Sequence, residues 1–582
     1  MQIKNTKPYD VLIIGAGGSG LAAAIFAAKQ GLEVAVISKV HPLKSHTIAA
    51  QGGINATLGN ITPDDWHWHA YDTIKASDWL ADQDSVEEMC RTAPEIINML
   101  SELGVNFDRK DDGRIDQKIY GGQSTHYGQG ELAYRACFAK DRTGHSIMHK
   151  LYQQALDLGV NFYNFYFALD LLYAQNKCNG VLCWNIEKGV IQAIISANTI
   201  IATGGYSQVY ATATSAAPCT GDGNGLVARA GIPLQDMEFV QFHPTALTRI
   251  GILITEAARS AGGTLLNSKG ERFMEKYAPK FKELAARDVV ARAIANEIIQ
   301  GNGCGELKDH VLLDLTHLTR QYIIDTLPTV FENCHQFLKL DPSCDLIPIA
   351  PAAHYTMGGI PTDSNCQVVN FTTGNVEQKI YSLYAIGEAA CISVHGAGRL
   401  GCNSLLDLIV FAKKVIQHLE PNLQHPTVTS KPVINHDYIQ QIFAKPIVNI
   451  TALTATLQNI MSQKVEVFRS HKLLQQAQQD LQYLETQYKS AGIADNTLQW
   501  NVELQHYLEL GNMIISAKAT IKSALWRMES RGAHWRSDFP QIDDQYLGHT
   551  IYTQNLNHDI MLRSVRKSKE NVHFYQPHKR NY

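Results

Sequence analysis

The stretch that most constrains this chain is Gly15-Ala16-Gly17-Gly18-Ser19-Gly20. It follows Tyr9-Asp10-Val11-Leu12-Ile13-Ile14, an apolar run that reads as a buried parallel strand, and precedes a helix over residues 21–30. A second strand over 34–37 completes a βαβ unit. Gly15, Gly17, Gly18 and Gly20 let the backbone approach a pyrophosphate, while the helix N-terminus offers free N–H groups and partial positive charge. Residues 11–28 carry no charge, but the glycines in their middle mark a strand–turn–helix and not a membrane span. The acid expected after the second strand, which would hold ribose hydroxyls, is replaced by Ser38-Lys39. That favours a flavin adenine dinucleotide (FAD) site built by a variant of the motif over a plain NAD site.

The 582 residues have room for two to four domains. A net charge of -4 and a pI near 6.6 argue against a general nucleic-acid binder. Eleven cysteines, scattered from Cys90 to Cys402 with no CxxC pair, exclude the usual iron–sulfur or zinc spacing and favour reduced thiols. The start of the chain has neither an apolar signal core nor an Arg-rich transit pattern, which suggests a bacterial chain or a processed eukaryotic one.

Residues 64–158 read as mainly helical. Trp66-His67-Trp68-His69 near their start raises a metal or stacking site, but alternate residues on a helix point apart, so aromatic packing is preferred. Strands are expected over 166–172 and 181–186, and at Thr199-Ile200-Ile201-Ala202 before Thr203-Gly204-Gly205. Thr220-Gly221-Asp222-Gly223 repeats the phosphate-style turn before a helix over 225–230. From 241 to 356 polar motifs become dense. Phe242-His243-Pro244-Thr245 reads as a loop, 251–254 as a strand leading to Thr255-Glu256 and Arg259, and Arg287-Asp288 as the start of a helix to 299. The flavin domain resumes with a strand over 381–386, Gly387-Glu388, His395-Gly396-Ala397-Gly398-Arg399, and a helix from Ser404 and Leu405 to 419 aimed at the cofactor. Pro421, Pro426 and Pro432 mark a linker. Beyond it come amphipathic helices, one over 465–489 with a stripe of Leu473, Leu474, Leu481 and Leu484. The tail loses periodicity and is basic at Arg563, Arg566, Lys567, Lys569 and Lys579-Arg580, as a solvated or docking surface would be.

The expected fold is α/β: a Rossmann-like FAD-binding domain in two parts (1–240 and 357–420), an inserted α+β capping domain (241–356), a helical domain (437–540) and an irregular tail (541–582). His243, Thr255, His354 and Arg399 could together hold a small dianion, since arginine binds carboxylate in a planar, bidentate way and histidine or threonine adds single donors. Glu256 and Arg259 can pair locally, and Arg287 can extend the pair into a proton relay.

Ser45-His46-Thr47 with Ala50-Gln51-Gly52-Gly53 resembles the covalent-flavin motif of the succinate dehydrogenase/fumarate reductase flavoprotein family. Asp82-Gln83-Asp84, Gly121-Gly122-Gln123-Ser124, Asp141-Arg142-Thr143-Gly144-His145, Gln241-Phe242-His243-Pro244-Thr245, Gly270-Glu271-Arg272-Phe273-Met274-Glu275, Arg287-Asp288-Val289-Val290, His354-Tyr355-Thr356-Met357-Gly358-Gly359, Asn403-Ser404-Leu405-Leu406-Asp407 and Glu529-Ser530-Arg531-Gly532-Ala533-His534 carry the resemblance from about residue 9 to 540. Gly-Gly-Gln-Ser and Asp-Arg-Thr-Gly-His favour the succinate dehydrogenase branch.

The resemblance implies FAD linked through His46, which would make it a stronger oxidant. It would be cradled by Gly15, Gly17, Gly18, Gly20, Ser38, Lys39, Ser45, Thr47, Gly52, Gly53, Ala168, Asp222, Glu388, Arg399, Ser404 and Leu405. It further implies that His243, Thr255, His354 and Arg399 bind succinate and that Arg287, Glu256 and Arg259 move the proton. Electrons would pass to an iron–sulfur subunit that docks, through membrane-anchor subunits, at the cytoplasmic face of a bacterial inner membrane, or the matrix side in a mitochondrion. No metal is expected in the chain itself. Departures from the pattern are Ala257, Ser260 and Ala261, Gly398 beside Arg399, where extra backbone freedom would loosen the loop, Cys402, and Ser207-Gln208. Fumarate reductase, L-aspartate oxidase and an idle flavoprotein scaffold are the competing readings. Flavin retained by acid-denatured protein would remove the second, and succinate turnover the third.

Overall fold

A computed structural model describes residues 8–372, 376–419, 433–554, 560–568 and 575–578. The motif that opens the chain sits at the centre. Strand Tyr9–Ile14 pairs in parallel with Val34–Ser38 on one side and Val190–Ile201 on the other, with Ile14 opposite both Ile37 and Ile201. Asn161–Asn164 extends the sheet beyond Val34–Ser38, and Val376–Ala385 lies parallel to the end of Val190–Ile201. The carboxyl ends of the central strands therefore stop together at Gly15, Ser38 and Ala202, which opens the crevice that parallel sheets use for ligands.

Helix Gly18–Lys29 starts earlier than the apolar pattern indicates, because its first turn is made of the glycine motif itself. Its buried residues are mostly glycine and alanine, small side chains that let it pack close to helix Asn403–Gln417. Helix Asp222–Arg229 likewise begins within its turn, at Asp222. The region 64–158 is less helical than expected. Helices Trp66–Ala76, Gln83–Glu102 and Thr143–Asp157 are interrupted by antiparallel strands Gln117–Ser124, where Gly121 and Gly122 mask the period, and Leu132–Cys137, where mixed polarity does.

Residues 240–356 contribute a four-stranded antiparallel sheet in the order Val240–Leu247, Ile347–Thr356, Val311–Asp314, Thr264–Leu266. Two expectations are corrected here. Phe242-His243-Pro244-Thr245 is strand, not loop: Pro244 sits in a register shift between His243 and Ala246, where no ladder donor is needed. Residues 251–254 are not a strand but a connection held by a single bridge, Ala246 to Leu253.

Helices Ile450–Lys464, His471–Ser490 and Val502–Trp526 pack into the same apolar cluster as the central sheet, through Leu474, Leu481, Leu484 and Tyr507 among others. The second helix starts at His471 and not at 465, because the Ser470 side chain accepts the Leu473 N–H at 3.3 Å and caps it. The tail is not irregular throughout: His549–Tyr552 pairs with Leu234–Gln235 and with Ile560–Arg563. Nor is its charge all solvated. Arg563 is buried against Asp82 at 2.7 Å, and Arg566 reaches the same carboxylate at 3.0 Å, while Lys567 is exposed. The prolines 421, 426 and 432, and Lys569, Lys579 and Arg580, lie outside the described residues.

Candidate functional site

The crevice is one elongated cleft, bordered at its near end by Gly15, Gly17 and Gly18, Ser38 and Lys39, Ala168 and Asp222. A Cβ on Gly15 would stand 2.2 Å from the Ala202 carbonyl oxygen, and Gly15 has φ +111°, so both space and backbone require glycine there. Gly20 does not face the cleft. A Cβ on it would meet the Gly15 oxygen at 2.0 Å, so it serves the tight turn behind the cradle. Ser38-Lys39, which stands where an acid is usual, gains its partners from afar. Lys39 Nζ lies 2.8 Å from Asp222 Oδ2 and 2.7 Å from Glu509 Oε1, and it donates to Thr220 Oγ1 at 2.7 Å. Glu509 belongs to helix Val502–Trp526 and carries no local signal of this role.

The loop 44–53 crosses the middle of the cleft. Ser45 is followed by a 3₁₀ turn, His46–Ala49, and Thr47 Oγ1 accepts the Gly18 N–H at 3.1 Å, which locks the loop to the glycine turn. His46 borders the cleft and its Nδ1 accepts the Ala216 N–H at 3.2 Å, which leaves the other ring nitrogen for whatever fills the space. The imidazole keeps some exposure through the cleft mouth yet is crowded by protein. That desolvation, with Arg399 nearby, pushes its pKa down to about 4. Gly52 and Gly53, Glu388, Ser404 and Leu405 complete the wall. Glu388 accepts the Thr356 N–H at 2.9 Å, and burial raises its pKa to about 7. The residues suit an FAD: a bare backbone cradle, a helix N-terminus, and a Ser45 hydroxyl that is buried without a partner.

At the far end of the cleft several polar residues distant in sequence converge. His243, Thr255, Glu256, Arg287, His354 and Arg399 all border it; Arg259 does not. The ring centroids of His243 and His354 lie 4.9 Å apart, and the His354 Nδ1 contacts Thr214 Oγ1 at 2.7 Å. Burial holds both imidazoles well below their ordinary pKa, helped by Arg287 and Arg259 at His243 and by the facing His243 and Arg399 at His354. They are neutral donors near pH 7. The Arg399 guanidinium lies 4.3 Å over the Tyr355 ring, with its Nε buried and unpartnered. Burial and Arg287 lower its pKa to about 10, so it remains a cation near pH 7 on the border of the cleft. Gln241, to which the motif assigned no role, donates to the Arg399 carbonyl at 2.9 Å and accepts from Arg287 Nη1 at 3.3 Å.

The Arg399 loop is braced, contrary to the expectation drawn from Gly398. A Cβ at Gly398 would stand 2.7 Å from the Ala76 oxygen, so glycine permits close packing on helix Trp66–Ala76. Ala397 receives the Ala533 N–H at 2.8 Å on its carbonyl and donates its own N–H to Ser77 O at 3.0 Å. Cys402 has φ +66°, a conformation where glycine is usual, and its thiol faces the cleft 3.6 Å from the position of a Cβ on Gly52. The aromatic-packing reading of residues 66–69 holds for Trp66 and His67, which stack at 3.7 Å. His69 differs: it is buried and its Nε2 contacts Asn403 Oδ1 at 2.9 Å, at the start of helix Asn403–Gln417.

Glu256 opens a short helix capped by Thr255 and receives the Gly121 N–H at 3.0 Å. Arg287 Nε donates to Glu256 Oε2 at 2.9 Å, and Arg259 Nη2 stands 3.6 Å from the same oxygen. Burial alone would raise the Glu256 pKa, but the two guanidiniums outweigh it and hold the carboxyl below its ordinary value. The far end of the cleft thus faces two cations, Arg399 and the carboxylate-backed Arg287, and two neutral histidines.

A family model described as an FAD binding domain matches residues 10–405, and one described as fumarate reductase flavoprotein C-term matches 454–582. The chain is 47% identical over 552 residues to the succinate dehydrogenase flavoprotein subunit of Rickettsia bellii, covering 93% of this chain and 92% of that one. It belongs to the succinate dehydrogenase/fumarate reductase flavoprotein family. The mitochondrial succinate dehydrogenase flavoprotein subunit of Oryza sativa is 46% identical over 568 residues, 96% of this chain and 90% of that one. Among solved structures, an E. coli quinol fumarate reductase FrdA variant superimposes with a TM-score of 0.89 at 32% identity, covering 99% of each chain. The family fold is thus spanned from the glycine turn to the tail. Among the described residues, no helix is long and apolar enough to cross a membrane.

Proposed function

We propose that this chain is the flavoprotein subunit of a succinate dehydrogenase, oxidising succinate to fumarate at the far end of the FAD cleft. The observation that carries the reading is the convergence of His243, Thr255, His354, Arg287 and Arg399 on a space continuous with the glycine cradle and His46. Curated relatives named succinate dehydrogenase flavoprotein subunit, from Rickettsia to Oryza, support it.

FAD, when bound, supplies the acceptor for the hydride that leaves one substrate carbon. Gly15, Gly17, Gly18 and the first turn of helix Gly18–Lys29 would hold its pyrophosphate. His46 would carry it covalently through the ring nitrogen that Ala216 does not engage. Arg399 binds one substrate carboxylate with a charge-assisted pair. His243 and Thr255 donate to the other, and His354, steadied by Thr214, orients the first. Arg287, backed by Glu256 and with Arg259 alongside, handles the proton of the second carbon. A resting guanidinium is a poor base, so removal of that proton requires Arg287 to be momentarily neutral, its proton having passed to Glu256. In the opposite direction Arg287 donates directly. This geometry also suits a fumarate reductase, the name borne by the E. coli structure.

Electrons would leave to an iron–sulfur subunit, and that subunit with membrane anchors would hold the chain at the membrane face. Two measurements on one preparation test the reading. Yellow flavin should stay on the His46 peptide after denaturation and proteolysis, and succinate should reduce an artificial dye acceptor. Flavin lost on denaturation sinks the tether; no reduction by succinate or of fumarate sinks the dicarboxylate chemistry.

A further inference from the structure

Helix Asn403–Gln417 meets the cofactor cleft with its amino end. Ser404 and Leu405, in its first turn, border the cleft, and Cys402, the residue before it, has φ +66° and offers the helix no side-chain cap. A non-glycine residue in that conformation persists only where its surroundings hold it. A helix amino end carries about half a unit of positive charge, an effect that fades within roughly one turn. Its influence on a bound ring system therefore depends on how firmly that end is placed.

The groups that hold it lie beneath the turn, and the directions of their hydrogen bonds are determined. The Thr73 hydroxyl donates to the His69 carbonyl at 2.9 Å, one turn earlier in helix Trp66–Ala76, so toward Asn403 it accepts. Asn403 Nδ2 donates to it at 2.9 Å. That turns Asn403 Oδ1 toward His69 Nε2 at 2.9 Å and Asn55 Nδ2 at 2.7 Å, and both nitrogens are donors. Asn55 Nδ2 also donates to the Gly401 carbonyl at 2.7 Å, and the Asn55 backbone N–H donates to the Cys402 carbonyl at 3.2 Å. Asn55 Oδ1 accepts from Gln123 Nε2 at 3.2 Å. All five side chains are buried, and they come from four segments far apart in sequence. A shift of the 401–403 turn would leave several buried polar groups unpaired, so the network favours one placement of the helix end.

We propose that His69 is a positioning residue for the cofactor: through Asn403 it holds the 401–403 turn, and with it the helix end and the Cys402 thiol, at the wall of the flavin cleft. The inference rests on FAD filling the cleft and not on the dicarboxylate reading. Without the His69 donor, Asn403 Oδ1 keeps only Asn55 and the turn loosens. The reduced cofactor, which bears the greater negative charge, then loses part of the positive helix end that favours it.

The test uses the flavin-loaded protein, titrated with dithionite against redox dyes and, in parallel, treated with N-ethylmaleimide and mapped for alkylated cysteines. His69→Leu is expected to raise the ratio of oxidised to reduced flavin at the unaltered protein's midpoint at least fivefold, equivalent to about 20 mV for a two-electron couple. It should also speed alkylation of Cys402 at least tenfold, with no change at Cys178 and Cys183, which are buried in strand Lys177–Asn185. His69→Gln, whose Nε2 can take over the donation to Asn403, is expected to stay within twofold of the unaltered protein on both readouts. Thr73→Val removes the acceptor of Asn403 Nδ2 at nearly constant volume and should shift both readouts in the direction of His69→Leu. A role confined to stability would expose all three cysteines together and leave the potential of the folded protein in place. The inference is overturned if folded, flavin-loaded His69→Leu keeps the potential or the Cys402 reactivity, if His69→Gln deviates as far as His69→Leu, or if alkylation rises equally at the three cysteines. Should His69→Leu not fold, Thr73→Val decides, and an unchanged potential and thiol there overturn it. Succinate turnover enters neither readout, so failure of the dicarboxylate reading leaves both arms of the test standing.

Discussion

Lys39→Met removes the cation at which three separate parts of the chain meet: strand Val34–Ser38, helix Asp222–Arg229 and helix Val502–Trp526. Its ammonium makes three contacts of 2.7–2.8 Å, two of them to carboxylates, with 11% side-chain exposure on Lys39, Asp222 and Glu509 alike. Methionine keeps the stem and deletes the charge. Asp222 then retains hydrogen bonds from Thr220 and Asn512, and Glu509 retains one from Gln505, but neither has a cation beside it. Breaking a buried pair by removing one partner costs about 3–5 kcal/mol, and the surviving hydrogen bonds place this case near the lower end, about 3 kcal/mol. Glu509→Gln leaves the Lys39–Asp222 pair intact and should cost only about 1 kcal/mol. In Lys39→Met/Glu509→Gln one stranded carboxylate is gone, so the double variant should cost less than the two single costs added together. Burial would lower the Lys39 pKa, but Asp222 and Glu509 outweigh it and raise it. The contribution is therefore complete below the unfolded lysine value near 10.4 and lost only above it, so these differences should not vary between pH 6 and 9. Urea unfolding of the flavin-loaded protein, followed by circular dichroism and flavin fluorescence, measures them. A Lys39→Met cost under 1 kcal/mol, or strict additivity in the double variant, would refute the claim that one ammonium joins the three segments.

Other outcomes follow from the same geometry. His46→Ala should still bind FAD through the glycine cradle but release it into the supernatant on acid precipitation, which absorbance at the flavin band reads directly. Glu256→Gln keeps the shape and the Gly121 contact but removes the charge between two guanidiniums; turnover should fall roughly 10²–10⁴-fold with little change in KM, as for a lost acid–base group. Burial, with Arg135 nearby, depresses the His69 pKa to about 3, against the opposing effect of the hydrogen bond that its Nε2 donates to Asn403 Oδ1. The native state therefore refuses a proton that the unfolded chain takes up below about 6.5. Stability should decline as pH falls from 6.5 toward 3, and His69→Gln should reduce that slope by about 1.4 kcal/mol per pH unit between pH 4 and 6. Denaturation midpoints across that range provide the check.

Local sequence was sufficient wherever chemistry and neighbours coincide along the chain. Gly15 to Gly20 can serve only a turn with the backbone bare, and the apolar runs on either side leave a parallel βαβ unit as the outcome. The helix from Arg287 to Ile299 has the boundaries its sequence pattern indicated, and His46, His243, Thr255, Glu256, His354 and Arg399 do border one cleft. Tertiary structure decided what depends on distant partners. Strand or loop at His243 turned on a ladder with residues 352 and 353, and the charge of the tail on Asp82, more than 480 positions before Arg563. Lys39 takes the place of an acid only because Glu509 arrives from a helix 470 residues away. Which charged residues meet the cleft is likewise a tertiary matter: Arg259 is three residues from Glu256, yet only Glu256 borders it. Charges separated in sequence compensate one another only after the chain has closed around them, and no local pattern encodes which will meet.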